Sequence, residues 1–379
     1  MKKEYLFIFI TYLIFDIIIT NLLIKETNFW KNAEKQNAVW RIKSNIYSHD
    51  FKANVDVYEK WHLFNKRIIT NSLGFRDFEN KKVSKIPSKK RLYIIGDSFI
   101  EGAGYDYDDT VAGIINRNIG QEYEILNAGV SSYASGVYYL KTNKIINEGY
   151  KIDKALIFLD LSDIYDELSY HYSEDKMRII NHDLNKKQYP IYKKIFYKIG
   201  DALTNNTILF KTLLILIDQT EIFKNYIKLK YKASKEFGKN FFTISRQDAL
   251  FYRMLSIDRG AWTQNEENFN QVNEGIEKTK FNLERLFKLL KSNNVESTLI
   301  IYPWPNQIYY GDKYHQSIWE KFSKKNNINF INLYPEFLKF NAKETILENF
   351  ILGDIHWNKR GNQIIAKQIL HKEFQIKKP

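Results

Sequence analysis

Two short blocks at opposite ends of this 379-residue chain carry residue types suited to acyl chemistry. The first is Gly96-Asp97-Ser98 within "RLYIIGDSFIEGAG", residues 91–104. A serine hydroxyl is a weak nucleophile until a neighbouring base takes its proton. Small residues around Ser98 leave room for a substrate and for backbone to approach. The second block, "GDIHWNKRGNQIIA", holds Asp354 and His356. A carboxylate two residues before a histidine can hold the imidazole through Nδ1, leaving Nε2 to receive a serine proton. Of seven histidines, His356 is the one in a loop before the last expected helix with a carboxylate this close on its N-terminal side. Each block alone also reads as ordinary structure, a turn serine or a buried histidine.

Attack on a carbonyl builds negative charge on its oxygen, which needs hydrogen-bond donors. Two further blocks offer them. In "NAGVSSYASG", Gly129 ends an apolar run, and its N–H could point into the same mouth, while Asn127 and Ser131 could pin the loop. In "LDLSDIYDE", Ser162 and Asp163 follow another apolar run. Ser162 can donate, an ionised Asp163 cannot, and either could instead cap a helix.

These blocks need a scaffold that gathers them. Apolar runs predict strands over 91–95, 123–129, 154–161, 295–303 and 328–334. Helical patterns lie between and after them: "DTVAGIINRNI" with Asp109 or Thr110 as cap, residues 135–147, "FNLERLFKLLK" and "NQIIAKQIL". Such alternation predicts a parallel sheet covered on both faces, with ligands bound beyond the carboxyl ends of its strands.

Taken in order, the four blocks resemble the SGNH/GDSL hydrolase superfamily over about Asn71 to Phe374, with "NSLGFRD" and "NAGVSSYASG" similar to its bacterial branch. The resemblance implies a flavodoxin-like three-layer α/β/α fold with a five-stranded parallel sheet and a helical insertion. It implies Ser98 as nucleophile, His356 as base and Asp354 as its orienter, with Ser98, Gly129 and Ser162 forming the oxyanion hole. Two departures stand out. The family's Gly-x-Asn-Asp reads Asp160-Leu161-Ser162-Asp163 here. Loss of one oxyanion donor costs ~2.7–4 kcal/mol of barrier, with Asn127 as an alternative donor. The late pair is Asp-x-His followed by Trp357 rather than Asp-x-x-His. That form is similar to the membrane-associated branch that O-acetylates exported polysaccharides, such as alginate acetyltransferases. Trp304 in "YPWPNQI" is expected near the mouth, as a platform for a sugar ring or as a core residue. Asp97, Asn127, Trp304 and Trp357 make up the expected substrate-contacting set. No cofactor and no metal are implied, since His356 lacks a second histidine at ligand spacing.

The formal charge is +13 and the pI about 9.3. The lysines are scattered as in a biased genome, and no nucleic-acid-binding motif appears, so nucleic acid is not an expected partner. The absence of cysteine excludes disulfides, thiolate metal sites and a cysteine nucleophile. The stretch "YLFIFITYLIFDIIITNLLI", Tyr5 to Ile24, is nearly all apolar. A helix of that length spans the ~30 Å hydrocarbon core of a bilayer. Asp16 inside it carries an insertion cost of ~2.5–3.5 kcal/mol, which its apolar neighbours can offset. Lys2 and Lys3 favour a cytoplasmic N-terminus, and no small-residue cleavage site follows.

The expected organisation is therefore an uncleaved anchor at 1–25, a juxtamembrane segment leading into the domain at 26–80, and the hydrolase domain at 81–379. Its insertion, about 164–275, holds two lysine-rich helical stretches, expected to pack on the domain or to lie on the membrane as a basic amphipathic surface. The expected location is the bacterial inner (cytoplasmic) membrane, single-pass, with the catalytic domain periplasmic or extracellular. Three functions fit: an esterase acting on acyl, foremost O-acetyl, esters of an envelope glycan or lipid; an O-acyltransferase modifying an exported polysaccharide; or a glycan-binding homologue without catalysis.

Overall fold

The computed structural model describes residues 3–27, 30, 40–61, 64–173, 178–182 and 191–376. The chain forms two compact units, Met1–Asn37 with Asn185–Ala249, and Ala38–Leu184 with Leu250–Pro379. These units cut across the three segments expected from sequence.

The second unit begins with two antiparallel hairpins, β1 (Arg41–Ser44) with β2 (Ser48–Phe51) and β3 (Asp56–Trp61) with β4 (Phe64–Ile69). The strands β5 (Lys90–Ile95), β6 (Tyr123–Asn127) and β7 (Lys154–Leu159) follow. A third hairpin pairs β8 (Tyr170–Ser173) with β9 (Arg178–His182). Then come β10 (Glu296–Ile301) and β11 (Asn329–Asn332). The five expected strands form one parallel sheet in the order β11-β10-β7-β5-β6. β7 is buried along its whole length, as a central strand covered on both faces must be.

Alternation along the strands sorts the covering helices. Tyr93, Ile95, Ile157 and Leu299 share a core cluster with Val137 and Leu283, so this face lies under helices Ser135–Asn147 and Asn273–Ser292. Those two helices pack together, as do Val111–Ile119 and Lys359–Phe374. The architecture is three-layer α/β/α, as expected. Thr110, not Asp109, caps its helix, its hydroxyl accepting from the Gly113 N–H at 3.2 Å.

Residues 40–80, expected within a juxtamembrane segment leading into the domain, are part of this unit. Trp40, Tyr47, Phe51, Ile68 and Phe75 are buried in the same cluster as Tyr93. Their apolar side chains come singly along short hairpins, which leaves no long run to read in the sequence. The expected insertion also divides. Residues 164–184 and 250–275 belong to the sheet-bearing unit, whereas 185–249 cluster with residues 1–37.

The first unit holds the helices Lys3–Leu22, Ile191–Asn206 and Ile208–Glu236. Among the described residues, one helix, spanning Glu4–Glu26 with mean hydropathy 2.3, is long and apolar enough to cross a bilayer.

Candidate active site

Strand β5 ends at Ile95, and the chain turns at once into a single helical turn, Ser98–Glu101. Asp97 caps that turn, its Oδ1 accepting from the Phe99 N–H at 3.0 Å. Gly102 ends it in the left-handed region at φ +80°, with Thr110 where a Cβ would stand. The strand is buried and the turn is capped at both ends. Ser98 is consequently the only residue from Arg91 to Tyr105 that is not buried.

His356 arrives from the other end of the chain on a closed loop. Its carbonyl accepts from the Ile351 N–H at 2.9 Å, Phe350 bridges to Trp357, and Asn358 caps the helix that follows. Asp354 Oδ1 accepts from the His356 backbone N–H at 3.0 Å and lies 2.5 Å from His356 Nδ1. His356 Nε2 lies 2.8 Å from Ser98 Oγ. With its Nδ1–H given to Asp354, a neutral imidazole presents Nε2 as an acceptor for the Ser98 O–H. Burial pulls the His356 pKa down, but the hydrogen bond and charge of Asp354, with Asp97 and Asp160 behind, outweigh it and raise the pKa. The Phe99 ring lies tilted beside the imidazole, with ring centroids 4.7 Å apart.

Behind Ser98 lies a group of three buried carboxyls, Asp97, Asp160 and Asp163, with oxygens within 4.8 Å of one another. Asp97 Oδ2 is 3.1 Å from Ser98 Oγ. Asp160 accepts from the Ser162 N–H (2.8 Å), the Ser162 hydroxyl (2.6 Å) and Trp304 Nε1–H (2.7 Å). Asp163 accepts from the Tyr138 hydroxyl (2.7 Å) and the Asp160 N–H (3.0 Å). Each of these donors is uncharged. Burial, with the charge of Asp160 added, pushes Asp97 up to about 8. Burial, with Asp97 and Asp160 nearby, raises Asp163 well above the carboxylate range.

Ser98, His356 and Asp354 thus come together with Asp97 beside them, and the other expected residues do not take their expected places. The Ser162 N–H closes an Asx turn on Asp160 Oδ1, and the Ser162 hydroxyl donates to the same oxygen, so it is not an available oxyanion donor. Asn127 is fully buried and donates to the Ile100 carbonyl at 2.9 Å, which removes it both as alternative donor and as substrate contact. The Gly129 N–H donates to Asn127 Oδ1 at 3.1 Å instead of standing free. Glycine is required at 129 because a Cβ there would stand 2.7 Å from the Glu101 backbone nitrogen. Ser98 N–H alone of the expected donors has no partner among the described residues. Trp304 is not a sugar platform: it is 1% exposed, stacked near Phe99 and bonded to Asp160. Trp357 is also core, edge-on to Phe99 and Tyr302. Both rings are drawn inward by the apolar wall that Phe99 presents behind the serine.

Three features escaped the sequence. Asp160 organises the third loop, and the Asp-x-Ser spacing of an Asx turn was its one visible signal. Arg259, 41% exposed, donates to the Ser162 carbonyl at 3.0 Å and pairs with Asp166 at 2.6 Å, yet it sits in a stretch with no motif. Glu101 is fully buried on the far side of the Ser98 turn. It pairs with Arg41 at 2.5 Å, has Lys66 at 3.9 Å, and accepts from the Ser131 N–H at 2.8 Å. The Arg76 guanidinium, from the "NSLGFRD" stretch, donates to the carbonyls of Glu101, Gly102 and Tyr105. Burial alone would raise the Glu101 pKa, but Arg41 and Lys66 outweigh it and hold it at about 2.

No family model matches the chain, and no curated protein matches it. Solved structures similar to it include an acetyl xylan esterase, 11% identical over 75% of this chain and 99% of its own, with a TM-score of 0.39. A psychrotrophic esterase from Pseudoalteromonas sp. is 12% identical over 76% of this chain and 98% of its own, with a TM-score of 0.35. A GDSL-like lipase from Bacteroides thetaiotaomicron is 14% identical over 76% of this chain and 92% of its own, with a TM-score of 0.37.

Proposed function

We propose that this chain is an SGNH/GDSL-type serine esterase, with Ser98 as nucleophile, His356 as general base and Asp354 as the group that orients His356. The hydrogen-bonded line from Asp354 through His356 to Ser98, closed between residues 258 apart in sequence, carries the reading. Ser98 Oγ attacks the ester carbonyl carbon while its proton passes to His356 Nε2. Asp354 stabilises the imidazolium that results. In this reading the Ser98 N–H donates to the oxyanion. Collapse breaks the ester C–O bond, and His356 returns its proton to the departing alcohol. Water, deprotonated by His356, then attacks the acyl-serine carbonyl; the acyl C–Oγ bond breaks, His356 returns the proton to Ser98 Oγ, and the carboxylic acid leaves.

The substrate we propose is an O-acetylated envelope glycan or an acylated lipid, met by an enzyme anchored in the bacterial cytoplasmic membrane through Lys3–Leu22, with Ser98 on the exported side. Apolar helix and basic N-terminal residues support that location. O-acyl transfer, in which a sugar hydroxyl replaces water, is favoured as the second reading by Asp354-x-His356-Trp357. The lack of a free Ser162 donor favours the non-catalytic glycan-binding reading.

A fluorophosphonate probe separates these readings. The wild type is expected to be labelled and to hydrolyse an activated acetyl ester, with both lost on Ser98→Ala or His356→Ala, a fall on the order of 10⁴–10⁶-fold in kcat. An unlabelled, inactive wild type overturns the esterase reading and leaves glycan binding. Transfer of acetyl to an added polysaccharide, in preference to water, replaces hydrolysis with the acyltransferase.

A further inference from the structure

The apolar helix Lys3–Leu22 contains an acid, and the structure gives that acid a partner. Asp16 is buried, and its two carboxylate oxygens accept from the Ile208 N–H at 2.9 Å, the Leu209 N–H at 3.1 Å and the Thr20 hydroxyl at 2.8 Å. Ile208 and Leu209 open the 29-residue helix Ile208–Glu236. An aspartate of the apolar helix therefore caps a second helix, where unsatisfied N–H groups and the positive end of the helix dipole suit a carboxylate.

The first ten residues of that second helix read "ILFKTLLILI", with only Lys211 and Thr212 polar. Lys211 turns inward, its Nζ 4.7 Å from the Trp30 ring centroid. The helix starts level with Asp16, and within its first turn Lys211 meets Trp30, a residue that follows the apolar helix in sequence. Its outer face carries Leu213, Leu216 and Ile217, which are 45%, 58% and 59% exposed at helical spacing. The preceding helix, Ile191–Asn206, exposes Ile195 and Ile199 in the same way.

The lengths agree. From Asp16 to Ile24, where the apolar span ends, eight steps at 1.5 Å cover ~12 Å. From Ile208 to Ile217, where apolar character gives way to Asp218, nine steps cover ~13.5 Å. Beyond Asp218 the helix carries five lysines, Lys224, Lys228, Lys230, Lys232 and Lys235, interleaved with exposed Ile222, Phe223 and Tyr231. That order, an almost wholly apolar start and then lysines interleaved with exposed apolar residues, is the pattern of a segment seated in a leaflet with its charges at anionic headgroups.

We propose that the helix pair Ile191–Asn206 and Ile208–Glu236 enters the same membrane leaflet as the C-terminal half of Lys3–Leu22, so that this unit meets lipid through three helices locked at Asp16. The proposal rests on the anchor reading of Lys3–Leu22 and is independent of the esterase reading. It gives Leu213, Leu216 and Ile217 the lipid contact that their exposure requires, and it removes the charge of Asp16 from bare hydrocarbon.

The chain has no cysteine of its own, so single-cysteine variants report without background. Full-length protein carrying Phe9→Cys, Leu213→Cys, Leu216→Cys or Lys228→Cys is labelled with an environment-sensitive fluorophore in vesicles of phosphatidylethanolamine and phosphatidylglycerol. Labels at 9, 213 and 216 are expected to be quenched by nitroxide lipid and to lose quenching by aqueous iodide, whereas the label at 228 keeps it. Iodide quenching at 213 and 216 equal to that at 228, with position 9 still in lipid, overturns the proposal and leaves a single anchor. Iodide quenching at position 9 as well overturns the anchor and the proposal together.

Discussion

Two buried acidic environments flank Ser98, and they settle their charge in opposite ways. On one side, Asp97, Asp160 and Asp163 crowd together with only uncharged donors: Tyr138, Trp304, Ser162 and backbone N–H groups. On the other, Glu101 stands alone among Arg41, Lys66 and Ser131. Burial is the same, so burial does not set the outcome. Asp97 is pushed up to about 8 while Glu101 is held at about 2. At neutral pH Asp97, with no cation beside it among the described residues, keeps its proton, whereas Glu101, with two cations, stays charged and ties loops together. The first environment supports the serine turn from below. The second staples β1, β4 and the Ser131 loop to that turn.

The sharpest test of the contrast is Glu101→Gln. It leaves Arg41 and Lys66 facing a neutral group in a buried site, and chemical denaturation is expected to show a loss of ~3–5 kcal/mol. Asp163→Asn replaces a protonated acid by a neutral amide of similar shape, with an expected loss of ~1 kcal/mol or less. Equal losses for the two variants would break the comparison.

The pH dependence of stability should separate them next. Glu101 has a folded pKa below its unfolded value, so its stabilisation is present above about pH 4.5 and disappears as pH falls toward about 2. Asp97 has the opposite sign. Between about pH 4 and about 8 the folded state holds a proton that the unfolded state has released, so stability falls as pH rises across that window. Asp97→Asn is expected to flatten the fall in Tm from pH 4 to 8. An unchanged slope would remove Asp97 as its source.

The base has a carboxylate partner of its own in Asp354. Burial opposes His356 protonation, but Asp354, Asp97 and Asp160 outweigh it. The rising limb of kcat/KM against pH is therefore expected to have its midpoint above the ordinary histidine value of ~6.5. Asp354→Asn, which removes the largest of these contributions, should move that midpoint down, and a midpoint that stays put would separate His356 from Asp354. The smallest effect belongs to Ser162→Ala. It removes one hydrogen bond to Asp160, costing ~1 kcal/mol of stability. The ~10²–10³-fold fall in kcat of a lost oxyanion donor is not expected.

Legibility followed the range of the interactions. The strands of the sheet and Thr110 as a candidate cap were visible because local pattern governs them. Ser98, Asp354 and His356 were visible because each sits in a short motif. Residues 40–80 were not readable as part of the sheet-bearing unit, since Trp40, Phe51 and Ile68 join its core singly from short hairpins. The oxyanion set was only partly readable. Ser162 and Asn127 have donor chemistry, but Asp160 and the Ile100 carbonyl claim their protons first. Competition between acceptors leaves no trace in residue type.

By itself the sequence determined the alternation of strands and helices, the apolar helix at the N-terminus and the three residue types that meet at Ser98, because periodicity and local motifs act over a few residues. The tertiary structure alone decided which way each side chain turned. It sent Trp304 and Trp357 into the core, gave Asp16 the N-terminus of a helix 192 residues away, and made one buried acid neutral and another charged. Those outcomes depend on which groups come within a few ångströms after folding, and Coulomb energy and hydrogen bonding act on that distance rather than on separation along the chain.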